Sequence, residues 1–85
     1  MTTSTTQPRK MYRIGTQSEQ TGLAVSTLYA HIASGLWPKM ISLGPRARAL
    51  PSDEFDAMMA ARTAGRSEDE IRELVLTLTA ARQSA

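Results

Sequence analysis

The chain has 85 residues, of which 41% are hydrophobic and 21% are charged. This length allows one small domain rather than two, and the composition is that of a folded soluble protein rather than a disordered one. No apolar run approaches the roughly 18 residues of a membrane-spanning helix, and residues 1–10 lack the apolar stretch of a signal peptide, so we expect a cytoplasmic protein with no membrane partner. Zero cysteines and one histidine exclude disulfides and a zinc site, and we expect no metal and no cofactor.

The net charge of +2 conceals two parts of opposite sign. Residues 1–51 hold six basic residues and one acid, a net charge of +5, whereas residues 52–85 hold four arginines and seven acids, a net charge of −3. Such asymmetry favours a polyanionic partner for the first part, because Lys and Arg that neutralise phosphates release counterions. The alternative is that the charges serve solubility alone.

The first half of the chain predicts a flexible tail followed by two short helices. Residues 1–10 are rich in Thr and Ser and form the predicted tail. Thr16, with Glu19 three positions later, has the spacing of an N-terminal capping box, and Gly22 is the expected end of that first helix. The stretch 25–34 has apolar residues at helical spacing and stops at Gly35. Two helices joined by a glycine-containing turn indicate a helix-turn-helix motif, with a simple αα-hairpin as the alternative.

The segment after the second helix favours the helix-turn-helix over the hairpin of helices. Residues 40–43, 44–46 and 47–50 have the pattern strand, turn and strand, which predicts a β-hairpin wing. Arg46 and Arg48 are two positions apart and therefore leave the same side of the second strand. The predicted architecture is mainly α with a small β-hairpin, a winged helix-turn-helix over residues 11–64.

Two further helices complete the prediction. Ser52 is the expected N-cap of the third helix, with acids in its first turn and a core-facing stripe made of Phe55, Met58, Met59 and Arg62. A Ser67-x-x-Glu70 capping box begins a C-terminal amphipathic helix within residues 65–85 that runs to about Arg82. One side of this helix carries a narrow apolar seam that consists of Ile71, Leu74, Val75 and Leu78. The seam either packs onto the winged domain or mediates self-association.

The face of the second helix opposite its apolar stripe carries small and hydroxyl-bearing side chains, at Ser26, Thr27 and Ala30. Such side chains suit close approach to a DNA major groove. Tyr29 and His31 flank this face, where each is either a DNA contact or an ordinary rim or surface residue.

Four segments of the chain resemble the AlpA-type excisionase and regulator family, whose members have a MerR-like winged helix-turn-helix and bind DNA. The resemblance covers about residues 12–63 and is carried by Gly22-Leu23-Ala24-Val25-Ser26-Thr27-Leu28-Tyr29, Gly35-Leu36-Trp37-Pro38-Lys39, Leu43-Gly44-Pro45-Arg46 and Pro51-Ser52-Asp53-Glu54-Phe55. It implies that Ser26, Thr27, Tyr29 and Ala30 face the groove. It also implies that Lys39 and Arg46 contact phosphates and that Arg48 lies near the minor groove; Arg13 is a further candidate for contact with the DNA backbone.

This chain departs from the family pattern at four positions. The family commonly has Ser at the position of Ala24, basic residues at those of Val25 and Ala30, and Trp at that of Leu50. Ala24 gives the second helix a weaker N-cap, and the absence of basic residues at positions 25 and 30 leaves that helix with fewer base contacts. We therefore expect recognition of the DNA sequence to depend more on the wing, on DNA shape and on neighbouring copies of the protein than it does in other family members.

Three functions agree with these patterns. The first is an excisionase, or recombination directionality factor, that binds adjacent sites cooperatively, bends DNA near an attachment site and promotes excision by a tyrosine or serine integrase. The second is a transcriptional regulator of a phage or mobile-element promoter, and the third is a protein-interaction adaptor. Double-stranded DNA is the partner for the first two, with self-association on DNA and a nucleoid-associated location. No phosphate-binding loop, nucleophile elbow or zinc signature is present, so we predict no enzymatic activity and no catalytic residues.

Overall fold

The computed structural model describes residues 10–82, and within them the fold is mainly helical with a small three-stranded antiparallel sheet. This is compatible with a winged helix-turn-helix and confirms the predicted fold class. Most of the predicted tail, residues 1–9, lies outside the described residues. No helix within residues 10–82 is long and apolar enough to cross a membrane. The elements are, in chain order, β1 (Met11–Tyr12), α1 (Ile14–Thr21), α2 (Val25–Ala33), β2 (Ile41–Gly44), β3 (Ala47–Pro51), α3 (Ser52–Thr63) and α4 (Glu68–Ala81).

The sheet contains the predicted hairpin and one strand that was not predicted. Strands β2 and β3 pair antiparallel, with Ile41 opposite Ala49, and form the wing. Strand β1 pairs with the other edge of β3, with Tyr12 opposite Leu50. Two residues are too few to show the alternation that identifies a strand, which is why the sequence gives no signal for β1.

Helix α1 begins earlier than predicted. Its N-cap is Arg13, whose side chain makes no capping hydrogen bond, and Thr16 lies inside the helix, so the predicted capping box of Thr16 and Glu19 is wrong. The pairing of β1 with β3 fixes the chain just before α1, and this tertiary constraint outweighs the local capping preference. The other end is as predicted, because Gly22 adopts a left-handed conformation with φ 76° and donates its N–H to the Ser18 carbonyl at 2.9 Å.

The N-cap prediction for α3 is also wrong, whereas that for α4 is confirmed. Pro51 is the N-cap of α3, and the Ser52 hydroxyl instead accepts a hydrogen bond from the backbone N–H of Lys10 at 3.1 Å. In α4 the Ser67 side chain accepts from the Glu70 N–H while the Glu70 carboxylate accepts from the Ser67 N–H. This reciprocal pair satisfies two amides that the first helical turn leaves without backbone partners.

One apolar core joins the two helices of the helix-turn-helix to the wing, α3 and α4. Trp37 lies near its centre, with its ring 5.9 Å from that of Phe55 in an edge-to-face arrangement. Val25, predicted on the buried side of α2, is instead 38% exposed because it sits in the first turn, beyond the reach of the core. The buried members of the core are Leu28, Trp37, Leu50, Phe55, Met58, Ile71 and Val75.

The apolar seam of α4 packs inside the chain. Ile71 and Val75 are buried in the core, and Leu74 and Leu78 pack against it partly buried. The seam is therefore not an exposed surface for a second copy, and of the two alternatives for it the structure shows packing onto the rest of the fold.

The acids in the first turn of α3 were expected to be exposed to solvent, and one of them is not. Glu54 is buried at 2% exposure rather than placed in solvent at the helix terminus. Its carboxylate oxygens accept hydrogen bonds from Arg82 at 2.9 and 2.6 Å, which fastens the end of α4 to the start of α3. The sequence gives no signal for this pair, because its members are far apart along the chain.

Candidate nucleic-acid interface

The exposed side of α2 carries most of the residues predicted to face a groove. Ser26, Tyr29 and Ala30 are exposed, whereas Leu28 is fully buried. At about 100° per residue, Ser26 and Ala30 lie nearly opposite Leu28, and Tyr29 lies toward one flank. Thr27 is half-buried on the other flank. The outward face is narrow and made of small side chains, with one phenol at its edge.

Three predicted arginine contacts meet beside this helix. Arg13, Arg46 and Arg48 line a shallow recess of about 190 Å³ together with Tyr29. We call it the arginine recess; its remaining lining residues are Ile14 and Met40. Within residues 10–82 no carboxylate lines it, so the three guanidinium groups repel one another and attract an anion. Because Tyr29 of α2 lines the same recess, the uncharged exposed side of α2 adjoins the basic surface of the wing.

The strand that was not predicted explains how Arg13 reaches this position. Tyr12 pairs with Leu50, so the residue that follows β1 lies alongside the part of β3 that carries Arg48. Arg13 then begins α1 as its N-cap. Arg48 pairs across the hairpin with Ser42, and the two side chains share one face of the wing.

A buried glutamine, Gln17, contacts the segments that carry residues of the arginine recess. Gln17 is 0% exposed, and its Nε2 donates to the Tyr12 carbonyl at 2.9 Å and approaches Sδ of Met40 at 3.6 Å. Its Oε1 accepts from the indole Nε1 of Trp37 at 2.9 Å. Gln17 thus links β1, α1 and the segment before the wing. Sequence reasoning did not identify it, because a single glutamine on a short helix carries no signal for burial.

Two of the predicted contacts lie away from the arginine recess. His31 is half-buried on the flank of α2 opposite Tyr29, where Nη2 of Arg62 lies 3.3 Å from its Nδ1. Guanidinium groups only donate, so Nδ1 is the acceptor in this contact. Lys39 has an exposed side chain after Trp37-Pro38, and its carbonyl accepts a hydrogen bond from Arg82 at 2.7 Å.

Arg62 itself serves the fold rather than the exposed face. Its guanidinium carbon lies 5.3 Å from the centre of the Trp37 ring, and its Nη2 also donates to the Leu36 carbonyl at 3.1 Å. These contacts hold the end of α2 against α3. The predicted core-facing orientation of Arg62 is confirmed.

Comparison with known proteins agrees with this geometry. The model of the family described as "Prophage CP4-57 regulatory protein (AlpA)" matches residues 10–63, which is more than half of the chain and covers every element except α4. Searches of curated proteins and of solved structures give no significant match. The matched range holds the helix-turn-helix, the wing and all the lining residues of the arginine recess. The chain therefore belongs to the AlpA family of phage regulatory proteins, which bind DNA.

Proposed function

We propose that this protein recognises a specific duplex DNA sequence by placing the exposed side of α2 in the major groove and the wing on the adjacent sugar-phosphate backbone. The observation that carries the proposal is the continuity between α2 and the arginine recess, whose described lining contains no carboxylate. Guanidinium groups fit phosphate oxygens in geometry and charge, and such contacts set the position of the protein on the duplex.

The side chains divide into those that position the protein and those that read sequence. Arg13 and Arg46 contact phosphates, and Arg48, on the wing, lies near the minor groove. Ser26 and Ala30 allow the helix to approach base edges, and the Tyr29 phenol reaches a phosphate or a base edge at the rim. Thr27, His31 and Lys39 are peripheral contacts, outside the arginine recess.

The start of α2 adds a further group of donors. Its N-cap is Ala24, whose side chain makes no capping hydrogen bond, so the first amides of the helix lack that partner. Helix N-termini of this kind accept phosphate oxygens well. We infer that the first turn of α2 faces the DNA backbone at the edge of the groove.

The biological role that we propose is that of an excisionase acting with a tyrosine or serine integrase. One module of this size buries only about 600–1,000 Å² on DNA. Because α2 carries few charged side chains, useful specificity then requires several copies on adjacent sites and a contribution from DNA shape. Cooperative binding and bending beside an attachment site are what excision requires of such a factor. The proposed location is the nucleoid.

A transcriptional regulator is the second candidate, and the description of the matched family as a regulatory protein favours it. A regulator would use the same interface at a promoter near its own gene or that of an integrase. The two roles differ in which DNA is occupied and not in how the protein contacts it.

A fluorescence-anisotropy titration at several salt concentrations tests these proposals. The duplexes are the attachment region of the element, the promoter of the gene for this protein, and a scrambled sequence of equal length. Stepwise binding that prefers the attachment region and weakens steeply with salt supports the excisionase, whereas preference for the promoter supports the regulator. If no duplex shows salt-sensitive binding, DNA recognition is refuted and the adaptor role is left.

A further inference from the structure

Helix α2 lacks the side chains that read bases in the major groove by paired hydrogen bonds. Guanine is read in this way by Arg or Lys, adenine by Asn or Gln, and cytosine by Asp or Glu. The nine residues of α2, Val25–Ala33, include none of these types. The nitrogen-bearing side chain of α2, His31, is half-buried on the flank away from Tyr29 and contacts Arg62. Paired hydrogen bonds from this helix to base edges therefore do not account for sequence recognition.

The exposed side of α2 presents apolar groups instead. Val25 and Tyr29 are 38% and 50% exposed, and at positions i and i+4 they are neighbours on the helix surface. Ser26 and Ala30 form an adjacent row with the same spacing, and both are exposed. Tyr29 also lines the arginine recess, so this surface lies beside the groups proposed to contact phosphates. We call Val25, Tyr29 and Ala30 the apolar face of α2.

One base offers a matching apolar group in the major groove. Thymine carries a methyl group at C5, and apolar side chains such as that of alanine are the usual contacts of this methyl group. Covering a methyl group removes apolar surface from water, whereas covering a donor or an acceptor without a partner costs free energy. An apolar face pressed against base edges therefore favours thymine.

We propose that α2 reads thymine through its 5-methyl group, with Val25, Tyr29 and Ala30 as the specificity-determining contacts. The inference rests on the proposed function, because it takes α2 to lie in the major groove. It names the feature that the site selects, which is thymine next to the phosphates held by the arginine recess. A 5-methylcytosine presents a methyl group at the same ring position, so the site accepts it more readily than cytosine.

The first test removes single methyl groups from the DNA. The full chain selects its preferred site from a pool of random duplexes, and deoxyuridine then replaces each thymine of that site in turn. This change leaves every hydrogen-bonding group and every phosphate in place. At the thymines opposite α2, each replacement is expected to weaken binding about threefold to fourfold, the value for one buried methyl group. The slope of log affinity against log salt should not change, because a methyl group carries no charge.

A second test separates the methyl group from the shape of the base pair. A sensitive thymine·adenine pair is replaced by cytosine·guanine, which should weaken binding. A methyl group added to C5 of that cytosine should then restore about threefold to fourfold. If the protein instead reads groove width or flexibility, the methyl group should restore nothing, and the inference would be overturned.

Two variants assign the contact to α2. Val25→Ala and Tyr29→Ala each remove apolar surface and introduce a better helix former, so the helix is retained. In at least one of them, a thymine that mattered to the unmodified protein should become insensitive to deoxyuridine, which is the coupling expected of direct contact. Leu76→Ala is the control, because Leu76 is 67% exposed on α4, outside the proposed interface, and this variant should keep every thymine effect.

The outcomes distinguish this inference from the proposed function. A selected site in which deoxyuridine never weakens binding, or thymine effects of full size in both α2 variants, would overturn thymine reading by α2 and leave DNA recognition in place. If the selection yields no preferred sequence and no duplex shows salt-sensitive binding, the proposed function is refuted and the inference with it.

Discussion

The indole N–H of Trp37 donates to Oε1 of Gln17 at 2.9 Å, and both side chains are essentially removed from solvent. Nε2 of the Gln17 side chain donates to the Tyr12 carbonyl at 2.9 Å. One side chain therefore holds β1, α1 and the core together. A buried polar network of this kind is favourable only while each member keeps its partner.

Gln17→Met is expected to destabilise the protein by about 1–3 kcal/mol, because the apolar replacement leaves the buried indole N–H without its acceptor. The control is Gln20→Met on the exposed side of α1, where the change should be within about 0.5 kcal/mol. Urea unfolding followed by the fluorescence of the single tryptophan measures both. Equal losses in the two variants would contradict a specific role for Gln17.

The pair between Glu54 and Arg82 ties the end of α4 to the start of α3. Its two hydrogen bonds, at 2.9 and 2.6 Å, form a fork between side chains that are 3% and 18% exposed, respectively. Arg82→Ala should cost about 2–4 kcal/mol, since it removes a guanidinium from a buried carboxylate. Arg66→Ala is the control, because its partner Glu70 is 3.7 Å away and both side chains are largely exposed; its expected cost is below about 1 kcal/mol. Thermal unfolding measures both variants. An equal decrease in Tm for Arg82→Ala and Arg66→Ala would show that the burial of the Glu54–Arg82 pair does not add to stability.

Local patterns predict much of this fold. Helical spacing identifies α2, α3 and α4, the strand-turn-strand pattern identifies the wing, and the capping box of Ser67 and Glu70 marks the start of α4. Each of these signals resides in a few consecutive residues. The two wrong N-caps, Thr16 and Ser52, lie at helix starts where β1 and β3 fix the backbone instead, so tertiary pairing decided the boundary.

The candidate site is only partly predictable for the same reason. The outward face of α2 follows from the position of Leu28, and the side of the wing that carries Arg48 follows from strand alternation. The prediction that Arg46 shares that side of the strand is wrong, because Arg46 lies in the turn before β3. The approach of Arg13 to Arg48 depends on β1, a two-residue strand without a pattern of its own. Gln17 and Glu54 are polar residues made internal by partners that are 20 and 28 positions away, and no local pattern records such distances.

The proposed DNA interface predicts a specific effect of wing arginines on salt dependence. Arg46→Ala should weaken DNA binding and reduce the slope of log affinity against log salt by about 0.9, the value expected when one fewer phosphate is neutralised. Arg66→Ala removes the same charge outside the arginine recess and is expected to leave the slope unchanged. Anisotropy titrations at several salt concentrations measure the slopes, and equal reductions would mean that net charge alone drives binding.

The capping box of α4 predicts a pH-dependent contribution to stability. The hydrogen bond from the backbone N–H of Ser67 is the main cause that holds the pKa of Glu70 below its ordinary value of 4.5, with the charge of Arg66 adding to it. A lowered native pKa means that the stabilisation is complete above the unfolded-state pKa and is lost as pH falls through the native one. Glu70→Gln should therefore be less stable than the unmodified protein at neutral pH and nearly equal to it in acid, below that native pKa. Ser67→Ala removes a hydroxyl that does not titrate, so its deficit should persist in acid; thermal unfolding at several pH values compares the two.

The start of α2 offers a stabilising substitution. Ala24 is the N-cap with φ −64° and ψ 151°, the extended geometry from which a serine hydroxyl accepts an amide hydrogen bond, yet alanine supplies no acceptor. Ala24→Ser is expected to stabilise the protein by about 0.5–1 kcal/mol, which raises Tm by several degrees in a chain of this size. Ala33→Ser, at the exposed last position of the same helix, should give no increase, because a hydroxyl there meets no unpaired amide. Differential scanning calorimetry of the two variants decides the matter, and a Tm for Ala24→Ser at or below that of Ala33→Ser would mean that the amides of the first turn of α2 already have partners.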